Sequence, residues 1–342
     1  MERADNGLAF LLQYENIAWY DTGTVKILDR RVYPSKVEFV TCNKYEDVAH
    51  AITDMVTQSA GPYTAAGMGM ALAAFQAQHL NESLFDEYMQ KAAYTLSHAR
   101  PTTISRMESI TNGCLKVAQA ARSEGFAVDI AIQNHTIEKM NIRYRNIAGL
   151  ARHLIDLFPE KGTVMTQCYG ETIVGQMLKV ARERSCEIKI ICPETRPYFQ
   201  GARLTASVAC EMGYDVTVIT DNMVAHTIQN RNVDVFTSAA DAICLDGHIV
   251  NKVGTLQIAI VAKHFGIPYF VTGIPDKEHS TIDTITIEER DPEYCLQAMG
   301  IRTVMDGVKG YYPSFDITPP HLVSGVVTDC GVFSPYDIQS YY

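Results

Sequence analysis

The sequence predicts an α/β protein with a C-terminal Rossmann-like parallel sheet and helices on both faces. A smaller, mostly helical N-terminal domain with a few short strands precedes it. After about residue 145, strand-like apolar runs alternate with helical runs, which is the rhythm of βαβ units. Before that point, short alternating runs give way to helical periodicity. Apolar residues make up 47% of the 342 residues, enough for a large core. We therefore predict two domains, 1–145 and 146–342.

The individual elements follow from the same patterns. In the N-terminal part, alternation between turn signals predicts strands over 17–20, 24–28 and 36–40. Apolar spacing of three and four predicts helices over 45–56, 65–77, 87–97 and 107–121. In the C-terminal part we expect strands over 164–166, 187–192, 215–219, 234–237, 242–245 and 269–272, the last of which closes the series. The helices between them are expected over 173–183, 202–212, 223–229 and 255–265.

Composition excludes several classes of function. The net charge is −10 and the 29 Lys and Arg form no long basic run, so we expect no nucleic-acid partner. No apolar stretch is long enough to span a membrane, so we expect no membrane partner. The nine cysteines contain no C-x-x-C pair, which disfavours a zinc ribbon. Reduced thiols and an N terminus without a secretory signal pattern predict a cytoplasmic protein.

A cysteine and an aspartate each follow a predicted strand. Cys168 comes just after the strand at 164–166, and Asp241 follows the strand at 234–237. Ligands of open α/β sheets bind outside the carboxyl ends of the strands, where a thiol and a carboxylate could move protons on a substrate. The alternative is structural, because lone cysteines are often small core residues and an Asp after a strand often forms a turn or a helix cap. The pattern leaves both interpretations open.

Two further segments carry donors suited to an anion. The first, residues 195–203, contains Arg196, Gln200 and Gly201 at a strand-to-helix junction, where backbone N–H groups attract phosphate. The second contains Asn251 and Lys252 just before a predicted helix. The alternatives are an arginine paired with a neighbouring glutamate and a surface lysine that caps a turn. Both interpretations stay open for each segment.

Several strings in one order resemble a known family. They are Thr-Arg-Pro at 195–197, Gln-Gly-Ala-Arg-Leu-Thr at 200–205, Asp-Asn-Met at 221–223, Ala-Asp at 240–241, Asn-Lys-Val-Gly-Thr at 251–255, Ile-Glu-Glu-Arg-Asp-Pro at 287–292 and Pro-Ser-Phe-Asp-Ile-Thr-Pro at 313–319. With Arg-Pro-Thr at 100–102, the set resembles the methylthioribose-1-phosphate isomerases over nearly the whole chain. That superfamily also holds archaeal ribose-1,5-bisphosphate isomerases and the regulatory subunits of translation initiation factor 2B.

The resemblance implies an aldose–ketose isomerase that converts a pentose 1-phosphate to the ketose 1-phosphate without a metal or organic cofactor. The family's catalytic cysteine and aspartate fall on Cys168 and Asp241. The phosphate-binding residues fall on Arg100, Gln200, Asn251 and Lys252. The rival implied by the same superfamily is a non-catalytic subunit that senses a sugar phosphate or a nucleotide. A sensor has no need of the Cys168–Asp241 pair, so the pair favours an enzyme.

Two segments depart from the family pattern. An Arg-Gly-Ala-Pro-Ala-Ile-Gly loop is replaced by residues 58–67, which lack the arginine, and His-Cys-Asn-Ala-Gly is replaced by residues 167–171, which introduce Glu171. If both segments line the pocket, Glu171 would repel or reorient a phosphate, and the preferred substrate would differ from the methylthio sugar. We also expect a homodimer or higher assembly, with the apolar segment 322–327 contributing to the contact.

Overall fold

The predicted mixed α/β class is confirmed by a computed structural model that describes residues 3–100 and 104–342. The chain forms two compact units, Met1–Arg145 and Asn146–Tyr342. Their assignment as separate domains stays a prediction. Within the described residues, no helix is both long enough and apolar enough to cross a membrane.

The N-terminal unit combines a small antiparallel sheet with helices. Its strands are β1 (Trp19–Asp21), β2 (Thr24–Leu28) and β3 (Phe39–Cys42), in the order β1-β2-β3. Its helices are α1 (Tyr45–Thr53), α2 (Gly61–Ala77), α3 (Glu82–Ser97), α4 (Ile104–Ser123) and α5 (Val128–Ile155), of which α5 continues past the unit boundary along the chain. Helix α2 is buried on nearly every side, because its small residues let neighbours approach closely. A Cβ atom added at Gly67 would lie 2.6 Å from Thr136 Oγ1 of α5.

Helix α5 has no counterpart among the predicted helices. Its buried positions Ile132, Thr136, Met140 and Tyr144 recur every four residues. Two of them, Thr136 and Tyr144, carry a hydroxyl and are not purely apolar. The Thr136 hydroxyl donates to the Ile132 carbonyl oxygen at 2.9 Å, so its polar group is satisfied inside the helix. The apolar stripe is therefore interrupted in the sequence although the helix is continuous in the structure.

The C-terminal unit contains a seven-stranded sheet in the order β15-β14-β10-β7-β4-β5-β6. Its strands are β4 (Lys161–Met165), β5 (Glu187–Pro193), β6 (Asp215–Ile219), β7 (Val235–Ala239), β10 (Tyr269–Thr272), β14 (Gly325–Thr328) and β15 (Gly331–Phe333). All pairs are parallel except β14 with β15. Four helices accompany the sheet: α6 (Glu171–Glu183), α7 (Ala206–Glu211), α8 (Val224–Asn230) and α9 (Thr255–His264). Met165, Ile191, Phe236 and Val271 lie in the core cluster of the unit.

The predicted strand at 242–245 does not belong to the parallel sheet. Its ordered part, β8 (Ala242–Ile243), pairs with β9 (Ile249–Lys252) in a separate antiparallel sheet with β13 (Phe315–Thr318). The physical reason is the short connection between β8 and β9, which suits an antiparallel pair, whereas a parallel pair needs a long crossover. This small sheet places Asn251 and Lys252 at the end of β9.

The expectation that the strand at 269–272 closes the series is wrong. Strand β14 pairs in parallel with β10 and continues the sheet. Val326 and Val327 of β14 are completely buried, and β15 covers the other side of the strand. The segment 322–327 therefore contributes an interior strand, because its apolar side chains fill the core of their own chain. It is not available as the subunit contact expected from its composition.

Candidate active site

The candidate site lies at the carboxyl edge of the parallel sheet, where four loops leave neighbouring strands. Cys168 follows β4, Thr195 follows β5, Asp221 follows β6 and Asp241 follows β7. Because β7, β4, β5 and β6 are adjacent in the sheet, these loops are neighbours in space. This is the edge at which open α/β sheets bind their ligands.

Three residues of these loops adopt a left-handed backbone conformation without being glycine. Their φ angles are 59° at Cys168, 63° at Thr195 and 56° at Phe199. A β-branched residue such as threonine rarely adopts this conformation, and each such residue costs about 1–3 kcal/mol. Backbone strain of this kind persists only where surrounding contacts enforce it, and it concentrates at functional sites.

The backbone of Cys168 is held from both sides. Its N–H donates to Thr195 Oγ1 at 3.2 Å, and its carbonyl oxygen accepts a hydrogen bond from the Thr205 hydroxyl. Thr195 is almost fully buried and is fixed in turn by Asp221, whose carboxylate accepts from the N–H groups of Thr195 at 2.8 Å and Arg196 at 2.7 Å. Sequence reasoning assigned no role to Thr195 or Thr205, because only the fold brings them to Cys168.

The loop that carries Cys168 touches two other loops of the site. A Cβ atom added at Gly170 would lie 3.1 Å from Ala239 Cβ, next to the turn that carries Asp241. On its other side, Gln167 Nε2 donates to the Val253 carbonyl oxygen at 3.2 Å, next to Lys252. These contacts bring the loop of Cys168 against the loops of Asp241 and Lys252.

The electrostatics link the same three side chains. Burial raises the pKa of the Cys168 thiol to about 11, the Lys252 ammonium opposes this rise, and the Asp241 carboxylate adds to it. The thiol is therefore protonated at neutral pH and can act as a proton donor. Asp241 is exposed and accessible to a ligand, and its backbone N–H donates to the Val250 carbonyl oxygen at 2.9 Å.

The predicted phosphate-binding side chains of this unit are buried. Lys252 is only 4% exposed, so the alternative of a surface lysine is wrong. Asn251 Nδ2 donates to Thr255 Oγ1 at 3.0 Å, and that hydroxyl donates to the Lys252 carbonyl oxygen at 2.7 Å. Gln200 is also buried, and its Oε1 has no hydrogen-bond partner among the described residues. Such an atom is what a polar ligand would satisfy.

Arg100 lies in the N-terminal unit, shortly before α4, and is partly buried. The other five predicted site residues belong to the C-terminal unit. Pro101 and Thr102, which complete the Arg-Pro-Thr motif, lie outside the described residues. The role of Arg100 stays a prediction based on the resemblance.

Asp316 supports the segment after Lys252. Its carboxylate accepts from the Gly254 N–H at 2.6 Å and from the Leu256 N–H at 3.1 Å, so it caps the N terminus of α9 from a separate strand. Burial raises the pKa of this carboxyl to about 6, against the stabilising effect of the two N–H groups and Lys252. Asp316, which belongs to the family-like segment 313–319, thus has a structural role that only the fold reveals.

A cleft of about 290 Å³, including space open to solvent, adjoins the loop of Cys168. Its walls combine apolar side chains with hydroxyls and small residues: Leu154, Thr166, Gln167, Gly170, Ile173, Val174, Met177, Thr237, Ser238, Ala239 and Thr272. Glu171, which the sequence analysis placed in the pocket, is fully buried as the first residue of α6. The helix dipole favours an acidic residue at this position, and a role of Glu171 in the pocket stays a prediction.

Across residues 3–100 and 104–342, no group of three or more His, Cys, Asp or Glu side chains is arranged to hold a metal ion. The loops of the site bring together a thiol, a carboxylate and a buried ammonium. Their chemistry is proton transfer and anion binding.

Comparison with known proteins shows the family to which the chain belongs. The fold and the site define the class, an α/β protein with a ligand site at the carboxyl edge of a parallel sheet. The family model for the Initiation factor 2 subunit family matches residues 58–335. The chain belongs to this family, and the superfamily resemblance inferred from its sequence strings is confirmed.

Three relatives illustrate the range of the family. The methylthioribose-1-phosphate isomerase of Roseiflexus castenholzii is 32% identical, with 93% of this chain and 94% of the relative covered. The crystal structure of 5-methylthioribose 1-phosphate isomerase from Pyrococcus horikoshii OT3 matches with a TM-score of 0.83 and 29% identity, covering 95% of this chain and 94% of that one. Subunit delta of translation initiation factor eIF-2B from A. fulgidus matches with a TM-score of 0.79 and 30% identity, covering 94% and 96%.

Proposed function

We propose that this protein is an aldose–ketose isomerase that converts a pentose 1-phosphate to the corresponding ketose 1-phosphate. Methylthioribose 1-phosphate or a 5-substituted relative is the substrate. The observation that carries the proposal is the strained loop of Cys168, which Thr195 and Thr205 hold and which contacts the loops of Asp241 and Lys252. Relatives at about one-third identity over nearly the whole chain are named for this reaction.

The chemistry requires one acid and one base. A 1-phosphate blocks the ring opening that free sugars use, so the ring oxygen must be protonated while the C1–O bond breaks. The Cys168 thiol, with its pKa raised to about 11, is the proton donor for this step. Asp241 then accepts the proton of the C2 hydroxyl as the carbonyl forms there. In a hydride route the C2 hydrogen moves with its electron pair to C1, where the bond to the ring oxygen has broken; in an enol route it leaves C2 as a proton and C1 takes up a proton. In both routes the proton on Asp241 returns to Cys168 through solvent, and the overall oxidation state is unchanged.

Gln200, Asn251 and Lys252 hold the phosphate. A buried ammonium is stabilised by an anion far more than an exposed one, because little solvent screens the pair. Lys252 ends β9 and is paired with Phe315 of β13, so a rigid strand pair fixes the base of its side chain. Positioning of this kind brings C1 and C2 to the acid and the base.

The rival function is a non-catalytic subunit that binds a sugar phosphate or a nucleotide. The fold does not decide between the two, since the eIF-2B subunit from A. fulgidus resembles this chain about as closely as the isomerase does. The site favours the enzyme, because a strained, protonated thiol beside a carboxylate adds nothing to the binding of an anion. Binding alone needs only the cationic and amide groups.

Product formation tests the proposal directly. Purified protein is incubated with ribose 1-phosphate and, separately, with methylthioribose 1-phosphate, and the ketose 1-phosphate is followed by phosphorus NMR. We expect turnover of at least one of the two sugars. Saturable binding of both sugars without any ketose product would establish the sensing function and overturn the enzymatic one.

We further propose that the protein acts in the cytoplasm as a homodimer or a higher assembly. The support is an exposed apolar segment in residues 297–311, in which Met305 is 83% exposed and Tyr311 is 71% exposed. Exposed apolar residues clustered in this way mark interaction surfaces. Light scattering at micromolar concentration tests the assembly, and a purely monomeric protein would contradict it.

A further inference from the structure

The Lys252 ammonium is held by a tyrosine hydroxyl inside the candidate site. Lys252 Nζ donates to Tyr312 Oη at 3.2 Å. Both residues are buried, with 4% of Lys252 and 2% of Tyr312 exposed. The register explains the contact, because Lys252 is paired with Phe315 of β13 and Tyr312 lies just before that strand. Nζ also lies 5.3 Å from the Tyr312 ring centroid and 5.4 Å from that of Phe315.

Packing fixes the position of this hydroxyl. The Tyr312 carbonyl oxygen accepts from the Arg290 N–H at 3.0 Å, which ties its backbone to a neighbouring segment. Its ring lies 6.1 Å from the ring of Tyr198, which lies 5.0 Å from that of Tyr294. Tyr198 belongs to the loop that leads to Gln200. A hydroxyl on a packed ring loses little conformational freedom when it binds a ligand.

The hydroxyl keeps its own proton for a ligand. A phenol that accepts from Lys252 can still donate one hydrogen bond. Burial raises the pKa of Tyr312 above its ordinary value, Arg290 opposes the rise, and the neighbouring Tyr198 and Cys168 groups add to it. The hydroxyl is therefore protonated at neutral pH.

Two more polar atoms near these residues remain to be satisfied. The Ser314 hydroxyl is completely buried and has no hydrogen-bond partner in the described part of the chain. Its backbone is fixed next to Lys252, because the Ser314 carbonyl oxygen accepts from the Val253 N–H at 3.1 Å. On the loop after β5, the buried Gln200 Oε1 also has no hydrogen-bond partner among the described residues. Unsatisfied buried polar atoms are few in native structures, and they mark places where a ligand or water completes the hydrogen bonding.

We propose that the Tyr312 hydroxyl is a further substrate-binding group that donates a hydrogen bond directly to the phosphate beside Lys252. The inference rests on the proposed function of the site and adds one donor to its phosphate-binding set. On binding, Tyr312 donates its unused O–H to a phosphate oxygen, and the Lys252 ammonium, which has three N–H groups, donates to the phosphate as well.

The test uses the full-length protein and the variant Tyr312→Phe, which removes only the hydroxyl. Ribose 1-phosphate is titrated as a protectant of Cys168 against iodoacetamide, which gives a dissociation constant without any turnover. A neutral hydrogen bond contributes about 0.5–1.5 kcal/mol, so we expect the dissociation constant to rise about 3–10-fold. Tyr294→Phe is the matched control, because Tyr294 lies in the same aromatic cluster, and its constant should stay within about twofold of the wild type.

The double variant Lys252→Met with Tyr312→Phe separates direct contact from the positioning of Lys252. It also removes the buried charge together with its partner, so it is expected to fold. If Tyr312 contacts the phosphate directly, its removal weakens binding about threefold or more even in the Lys252→Met background. An unchanged constant in that background, or in Tyr312→Phe alone, would overturn the inference.

Failure of the proposed function gives a different result. Ribose 1-phosphate could protect Cys168 in the wild type and bind more weakly to Tyr312→Phe, while the wild type turns over no pentose 1-phosphate. That result would refute the isomerase and support the phosphate contact. Wild-type protein whose Cys168 is not protected by millimolar ribose 1-phosphate would refute the contact itself. In an active enzyme, the Tyr312→Phe variant should raise KM and leave kcat nearly unchanged.

Discussion

The Thr195 hydroxyl accepts the backbone N–H of Cys168 at 3.2 Å, and both residues adopt left-handed backbone conformations. Two strained loops therefore support each other across neighbouring strands. Asp221 completes the support by accepting the backbone N–H groups of Thr195 and Arg196. The position of the candidate catalytic thiol thus depends on three strands of the sheet at once.

Removing either proton-transfer group should abolish turnover and leave the fold intact. We expect Cys168→Ser and Asp241→Asn each to lower kcat by about 10²–10⁴-fold, the usual effect of losing a general acid or base. Steady-state kinetics measure the loss, and the thermal unfolding temperature checks the fold. Cys210→Ser, at an exposed cysteine outside the site, is the control. Turnover near the wild-type level in either site variant would remove that residue from the mechanism.

Alkylation of Cys168 by iodoacetamide should rise steeply with pH. Only the thiolate reacts, and a pKa of about 11 means that the rate rises about tenfold per pH unit up to that value. Lys252→Met should raise this pKa further, because the ammonium favours the thiolate. Asp241→Asn should lower it, because the carboxylate disfavours the thiolate. Peptide mass spectrometry separates alkylation of Cys168 from that of the exposed Cys210 and Cys330. A lower Cys168 pKa in Lys252→Met, or a higher one in Asp241→Asn, would contradict the arrangement of charges.

The substrate preference should lie away from the methylthio sugar. The sequence departs from the family in residues 58–67 and 167–171, and loss of one charge-assisted phosphate contact is worth about 1.5–3 kcal/mol. We expect kcat/KM for a 5-deoxy or other pentose 1-phosphate to exceed that for methylthioribose 1-phosphate. The measurement compares methylthio, 5-deoxy and 5-phospho sugars. A preference of about tenfold or more for the methylthio sugar, about 1.4 kcal/mol, would show that the two departures are compensated.

Ionisation of Asp316 should lower stability between pH 4 and 7. The folded-state pKa of about 6 lies above the ordinary value of 3.8, so the folded protein binds more protons in this range and stability falls as pH rises. The contribution is up to about 3 kcal/mol at 1.36 kcal/mol per pKa unit. Urea unfolding of the wild type and Asp316→Asn should show the variant gaining relative stability from pH 4 to pH 7. A difference independent of pH would contradict the raised pKa.

Glycine at 201 should be irreplaceable, and glycine at 149 should not. A Cβ atom at Gly201 would lie 1.9 Å from the Pro193 carbonyl oxygen, so Gly201→Ala must displace backbone at the end of β5. We expect a loss of about 1–3 kcal/mol in unfolding free energy and a loss of turnover. Gly149 lies inside α5 with open space around its Cα, so Gly149→Ala should stabilise the protein by about 0.5–1 kcal/mol. Equal changes in unfolding free energy for the two substitutions would contradict the close contact at Gly201 and the open space at Gly149.

Much of the site could be inferred from the sequence because its residues sit at the ends of strong local patterns. The strands before Cys168 and before the loop of Gln200 are apolar runs, and their carboxyl ends must meet at one sheet edge. The family strings then singled out Asp241, Asn251 and Lys252. The roles of those residues in binding and catalysis stay predictions.

The sequence by itself determined the fold class, the family and the positions of most strands and helices, since these follow from local periodicity and short ordered motifs. Only the tertiary structure decided which polar groups meet. Tyr312 lies 60 residues from Lys252 along the chain, and Asp316 lies 62 residues from Gly254, yet each pair shares a hydrogen bond. Strand β14 likewise became an interior strand by pairing with β10. Contacts between distant segments depend on strand order and register, which no local pattern specifies.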